Sequence, residues 1–156
     1  MRLFLIRHAQ AEDRQIGGRD LYRPLSNKGL VRARELSGLL APSNVERILT
    51  SPATRCVQTV EPLAAASGVE PEDQPDLWEG SLITHVLALF ESQQGRVVAA
   101  CTHGDIIPGV VEEIARQGAD VFGRGCEKGS IWVLDHDGKR WTGAHYLDRS
   151  AIEVPA

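Results

Sequence analysis

The sequence predicts an α/β fold: a three-layer sandwich with a mainly parallel central sheet, helices on both faces, and a C-terminal antiparallel hairpin. Three observations carry this. Leu3-Phe4-Leu5-Ile6 and Arg96–Cys101 include short continuous apolar runs, the pattern of strands buried on both faces. Stretches with apolar residues at helical spacing alternate with those runs, as strand–helix units require. Near the end, Asp137-Gly138 joins two further apolar stretches, a strong hairpin signal.

The elements follow in order. After the first strand, a polar loop runs from Ala9 to about Leu25. Ser26 has the chemistry of an N-cap. Leu30, Val31, Leu36, Leu39 and Leu40 recur at helical spacing, and Pro42 ends that helix. Val45–Thr50 reads as the second strand. Ser51 is expected to cap the next helix, with Pro52 at its first position and Gly68 as its stop. Val69–Gln74 is a weak third strand, and Ser81–Gln94 is helical with Leu82, Val86 and Leu89 on one stripe. Asp105–Gln117 is the last predicted helix, with Pro108 tolerated in its first turn. Residues 118–129 read as a Gly-rich loop, and Ser130–Leu134 and Arg140–Tyr146 as the closing strands.

At 156 residues, 42% of them hydrophobic, the chain is read as one domain, 1–156, with enough apolar content for a real core. The net charge of −4 argues against non-specific nucleic-acid binding, which needs a surplus of Lys and Arg. Cys56, Cys101 and Cys126 are odd in number and far apart, which fits reduced thiols. The Leu3–Ile6 run is too short for a signal-peptide core, and no later run approaches a membrane span. A cytoplasmic protein, with no membrane partner and monomeric by default, is the expectation.

In open α/β sheets, ligands bind beyond the carboxyl ends of the strands. Arg7 and His8 fall there after the first strand, Arg55 one turn into the helix after the second, Glu79 after the third, and Thr102, His103 and Gly104 after the fourth. Two arginines and two histidines on one rim suit an anion, phosphate above all, because guanidinium forks match phosphate oxygens and stay charged. A helix start near Ser51 adds backbone donors and a positive dipole. One neutral imidazole can then attack phosphorus, and flanking cations disfavour its protonated form. The remaining cationic groups hold the equatorial oxygens in the transition state, so neither a metal nor another cofactor is called for. Glu79 is placed to protonate the leaving atom.

These residues resemble the histidine phosphatase superfamily, the phosphoglycerate-mutase-like group. Its Arg-His-Gly signature is present as Arg7-His8-Ala9, its S-P-x-x-R-x-x-Q-T segment in full as Ser51–Thr59, and its second His-Gly pair as His103-Gly104. The resemblance implies His8 as nucleophile, with Arg7, Arg55 and His103 binding phosphate. Ala9 in place of glycine is one departure. Arg14, where larger members carry a polar residue, is either a third cation or loop surface. Glu79 matches the acid position loosely, Asp105 is the second choice, and SixA-type members manage without an acid. The length and the "RPLSNKG" segment look like the small branch that includes SixA-type phosphohistidine phosphatases.

The expected activity is a metal-independent phosphatase acting on a protein phosphohistidine or a small phosphomonoester. A phosphoglycerate mutase is the same chemistry with longer insertions, and a non-catalytic phosphate-binding or interaction domain is the competing class. His136 and His145 in the final hairpin are read as packing residues rather than metal ligands, and Trp78, Trp132 and Trp141 likewise.

Overall fold

The computed structural model describes residues 1–156. β1 (Arg2–Arg7) runs mid-sheet, with Leu3, Phe4, Leu5 and Ile6 all buried. Leu3 and Leu5 face one apolar cluster, Phe4 and Ile6 the other. Removing each such side chain from water contributes roughly 1.5–3 kcal/mol, so a strand with no polar face settles in the centre.

The alternating part continues with α1 (Asn27–Leu40), β2 (Arg47–Thr50), α2 (Thr54–Ser67), β3 (Pro71–Asp73), α3 (Ile83–Glu91), β4 (Val97–Thr102) and α4 (Ile107–Arg116). β5 (Asp120–Phe122), β6 (Ile131–His136) and β7 (Trp141–Leu147) close the chain. The seven strands lie in the order β3-β2-β4-β1-β6-β7-β5. β3, β2, β4 and β1 run parallel, and β6 is antiparallel to both β1 and β7. Leu36 and Leu40 of α1 and Val60 and Leu63 of α2 cover the face of Phe4 and Ile6. Val86 and Phe90 of α3 and Val110 and Ile114 of α4 cover that of Leu3 and Leu5. This is the predicted three-layer α/β sandwich. No helix is long and apolar enough to cross a membrane.

The structure departs from the sequence reading in four places. Ser51 does not cap α2: that helix begins at Thr54 behind Ala53, and Ser51 and Pro52 lie in the turn before it. Leu30 and Val31 face outward, and α1 instead buries Gly29, Ala33, Leu36 and Leu40. α3 and α4 begin about two residues late, with Leu82 exposed ahead of α3. The 118–129 loop contains β5, which pairs parallel with β7 and takes the sheet edge that the hairpin was expected to hold. All three β5 residues are exposed, so it carries no burial pattern to read.

Ser26 caps α1 as predicted, its Oγ accepting from Gly29 N–H at 3.1 Å. Gly29 is there for space. A Cβ at this position lies 2.0 Å from the Gln10 carbonyl oxygen, in the loop just past His8. Gly29→Ala is therefore expected to lose about 1–3 kcal/mol by overpacking. Thermal unfolding tests this, and an unchanged melting temperature refutes it.

Candidate active site

Strand register sets the site. Arg7 of β1 pairs with Thr102 of β4, and Thr50 of β2 with Cys101. The next residues along, His8, His103 and Ser51, therefore leave the sheet together at its carboxyl edge. The His8 and His103 ring centroids lie 5.5 Å apart, with the rings tilted by 64°.

The His8 Nδ1 is 2.8 Å from the Ala9 carbonyl oxygen. A carbonyl only accepts, so Nδ1 carries a proton and donates it, and neutral His8 keeps its lone pair on Nε2. Burial pushes the His8 pKa down to about 3. The Ala9 carbonyl opposes that shift, and His103, Arg55 and Arg7 reinforce it. The sequence reading credited the cations; in the structure burial is the larger cause.

The sign of the linked stability follows. Unfolded His8 takes a proton near pH 6.5, and folded His8 resists it down to about 3. The contribution is full above pH 6.5 and is lost as pH falls toward 3, on the order of 5 kcal/mol across that window. His8→Asn is expected to flatten the fall in melting temperature between neutral pH and about pH 4. Equal slopes for variant and wild type would contradict this.

The backbone beyond His8 is held by the middle motif. Ala9 N–H donates to Thr59 Oγ1 at 3.1 Å, and that hydroxyl donates to the Arg55 carbonyl at 2.6 Å. Leu25 N–H donates to Gln58 Oε1 at 2.7 Å. The Gln-Thr pair thus anchors both ends of the 9–25 loop to α2. Nothing in the sequence around Gln58 and Thr59 marks this task, because both partners lie more than 30 positions away.

His103 is buried, with Nε2 2.8 Å from Ser51 Oγ and Nδ1 3.4 Å from Glu79 Oε1. Trp78 stands edge-on to its ring at 5.1 Å. Ser51, displaced from the helix cap, thus serves His103 instead. Gly104 leaves room for Arg7: a Cβ there lies 2.7 Å from the guanidinium carbon. Arg7 Nη1 donates to the Cys126 carbonyl at 2.5 Å, and its Nε is buried without a partner.

Arg55 is completely buried. Its Nη1 donates to the Asp20 carbonyl at 2.9 Å. Its Nη2 donates to Asp20 Oδ2 at 3.1 Å and Glu79 Oε1 at 2.6 Å, and Nε has no partner. The sequence reading placed Arg55 directly on the anion. The structure places it one layer behind, against the Glu79 and His103 that line the space in front. Buried N–H groups without acceptors cost about 1–3 kcal/mol each. Arg7 and Arg55 both carry one.

A cavity of about 450 Å³ opens on His8 and His103. Arg7, Arg14, Arg23, Glu79, Gly104, Asp105 and Lys128 complete its lining, with no hydrophobic side chain among them. Three loops, 10–25, 78–84 and 118–129, each contribute to it. Arg14 lines it while largely exposed, 3.7 Å from Asp20. Asp105 lines it too, its carboxylate accepting from Gly80 N–H at 2.8 Å. Arg23 and Lys128 were not singled out: Arg23 lay inside the "RPLSNKG" segment, and Lys128 gave no signal at all. With Arg55 and Asp20 counted, five cations face three carboxylates, an excess of two positive charges.

One expectation is corrected. Thr102 does not line the cavity: its buried hydroxyl donates to the Leu77 carbonyl at 2.6 Å and holds the turn before Glu79. Gly123-Arg124-Gly125 lies outside the cavity, with Gly125 packed under Tyr146. His136 and His145 are used in packing, against Trp141 and Phe122.

Two histidines at the carboxyl edge of a parallel α/β sheet, faced by an excess of cations, have the chemistry of an anion site suited to phosphate. The chain belongs to the histidine phosphatase superfamily, branch 1, whose family model matches residues 3–85. It is 32% identical to an 8-oxo-(d)GTP phosphatase of Mycolicibacterium smegmatis, over 93% of this chain and 47% of that protein. The chain thus spans about half the length of this curated relative. Its fold matches the protein histidine phosphatase SixA complexed with tungstate: TM-score 0.76, 22% identity, 95% of each chain covered. It matches the alpha-ribazole phosphatase of Shigella flexneri equally well, with TM-score 0.76, 17% identity and 100% of each chain. All three are phosphatases by name.

Proposed function

We propose that residues 1–156 form one domain that hydrolyses a phosphorylated substrate, without a metal, through a phosphohistidine on His8. The observation that carries this is the single available lone pair on His8 Nε2, on a ring held neutral by burial beside an all-polar, cation-rich cavity.

The steps follow from the residues present. Nε2 attacks phosphorus and the bond to the leaving atom breaks, with Glu79 or Asp105 as proton donor to that atom. Arg7 and His103 steady the phosphoryl oxygens, and Arg55 reaches them as the phosphoryl group takes the place of the Glu79 carboxylate on Nη2. Water then attacks the phosphohistidine and gives a proton to the carboxylate that acted as donor; the N–P bond breaks, inorganic phosphate leaves, and both neutral His8 and the protonated acid are restored. An excess of positive charge around the cavity favours an anionic phosphoryl group. A protein phosphohistidine and a small phosphomonoester both present one. The named activity of the mycobacterial relative adds phosphorylated nucleosides to the candidates.

Acid quench during turnover, followed by mass spectrometry, is expected to find acid-labile phosphate on the peptide carrying His8. A panel of phosphohistidine proteins, nucleotides and sugar phosphates ranks the leaving groups. EDTA is expected to leave turnover unchanged. Loss of activity on chelation, restored by a divalent cation, defeats the metal-independent reading.

A further inference from the structure

We infer that Asp20 is a positioning residue that aims the Arg55 guanidinium, an inference that rests on reading this site as one for phosphoryl transfer. Asp20 lies on a single 3-10 turn, Asp20–Tyr22, within the 9–25 loop. It grips Arg55 twice, with its carbonyl on Nη1 at 2.9 Å and its carboxylate on Nη2 at 3.1 Å. The other carboxylate oxygen accepts from Arg23 Nε at 2.9 Å and lies 3.7 Å from Arg14 Nε. One residue therefore ties a fully buried guanidinium to two cations that line the cavity. Burial works against the ionised form of Asp20, but Arg23, Arg55 and Arg14 outweigh it and hold the carboxyl below its usual range.

The two acidic partners of Arg55 differ in kind. Glu79 lines the cavity and meets Arg55 with one oxygen on one nitrogen. Asp20 does not line that cavity but a second one of about 420 Å³, which it shares with Arg14 and Arg23, and it meets two nitrogens of the fork. A phosphoryl group entering from the cavity displaces the Glu79 contact and leaves the Asp20 clamp intact. A planar fork held at two points keeps its remaining N–H groups fixed toward the reacting phosphorus, and fixed donors act on the transition state at no reorganisation cost.

The test is Asp20→Asn, which keeps the shape and removes the charge. Turnover per titrated active site is expected to fall at least about ten-fold. The inhibition constant for inorganic phosphate is expected to stay within about two-fold or to tighten, because a negative charge beside the site is gone. A merely structural role lowers the active fraction and leaves turnover per active site unchanged. Turnover per site within two-fold of wild type, or phosphate inhibition weakened in step with turnover, overturns the inference. A second readout does not need activity: proton–nitrogen NMR of the guanidinium groups, with Arg55 assigned through Arg55→Lys. Resolved Arg55 Nη signals are expected in the wild type, and in Asp20→Asn the Nη2 signal is expected to be lost while Nη1, held by the backbone carbonyl, is retained. Signals unchanged by the substitution, or absent from the wild type, also overturn the inference. If no substrate is turned over but the Arg55 signals behave as expected, the proposed function falls and the positioning stands.

Discussion

His8→Ala is expected to abolish turnover, by at least about 10³-fold on an aryl phosphate, together with all acid-labile phosphate on the protein. The size of the effect follows from the role. In the proposed mechanism the other groups stabilise charge, and His8, which lines the cavity, keeps its lone pair on Nε2 because Nδ1 is committed to the Ala9 carbonyl. Removing the ring leaves the cation-rich lining of the cavity in place. Substrate binding is therefore expected to persist while chemistry stops, which separates loss of mechanism from loss of fold. Retention of even a tenth of the wild-type rate would defeat the assignment of His8. Because neutral His8 is favoured by burial, the substitution is also expected to make the protein more tolerant of acid.

Arg55→Ala is expected to lower turnover by about 10²–10³-fold, the loss typical of a charge-stabilising group in phosphoryl transfer. Arg55→Lys is expected to recover little, since an ammonium cannot replace contacts that the fork makes through two nitrogens. Stability is expected to fall as well. Asp20 and Glu79 both lean on this one guanidinium, and its removal leaves their carboxylates facing each other across a hole. The two carboxylates are about a third exposed, so water softens that penalty. Turnover and melting temperature measured on the same preparations decide this. A variant with near wild-type turnover and a lower melting temperature makes Arg55 purely structural.

The parts of the site that could be read in advance were those tied to strand ends. Arg7-His8 and His103-Gly104 each follow a run of apolar residues, and such a run announces both the strand and where it stops. Arg55 could be read from its motif, but not its depth, because a helix position does not say what folds over it. Asp20 and Lys128 sit in loops without period, so nothing in their neighbours marked them. Ser51 was misread for a related reason: Ser-Pro before a helix matches a capping pattern, and the competing partner, His103, is 52 positions away.

The amino-acid order by itself determined the α/β class, the alternation of strands and helices, and the four cationic and imidazole groups that follow strand ends at one edge of the sheet. These depend on the side-chain period and residue chemistry, which are local properties. Only the tertiary structure decided which ring nitrogen of His8 is free and how far burial lowers its pKa. It also decided that Arg55 lies behind Glu79 under the grip of Asp20, and that Thr102 serves the turn rather than the cavity. Those depend on distances between segments far apart in the chain, set by parallel register and by the fold of the 9–25 loop, and no local pattern encodes them.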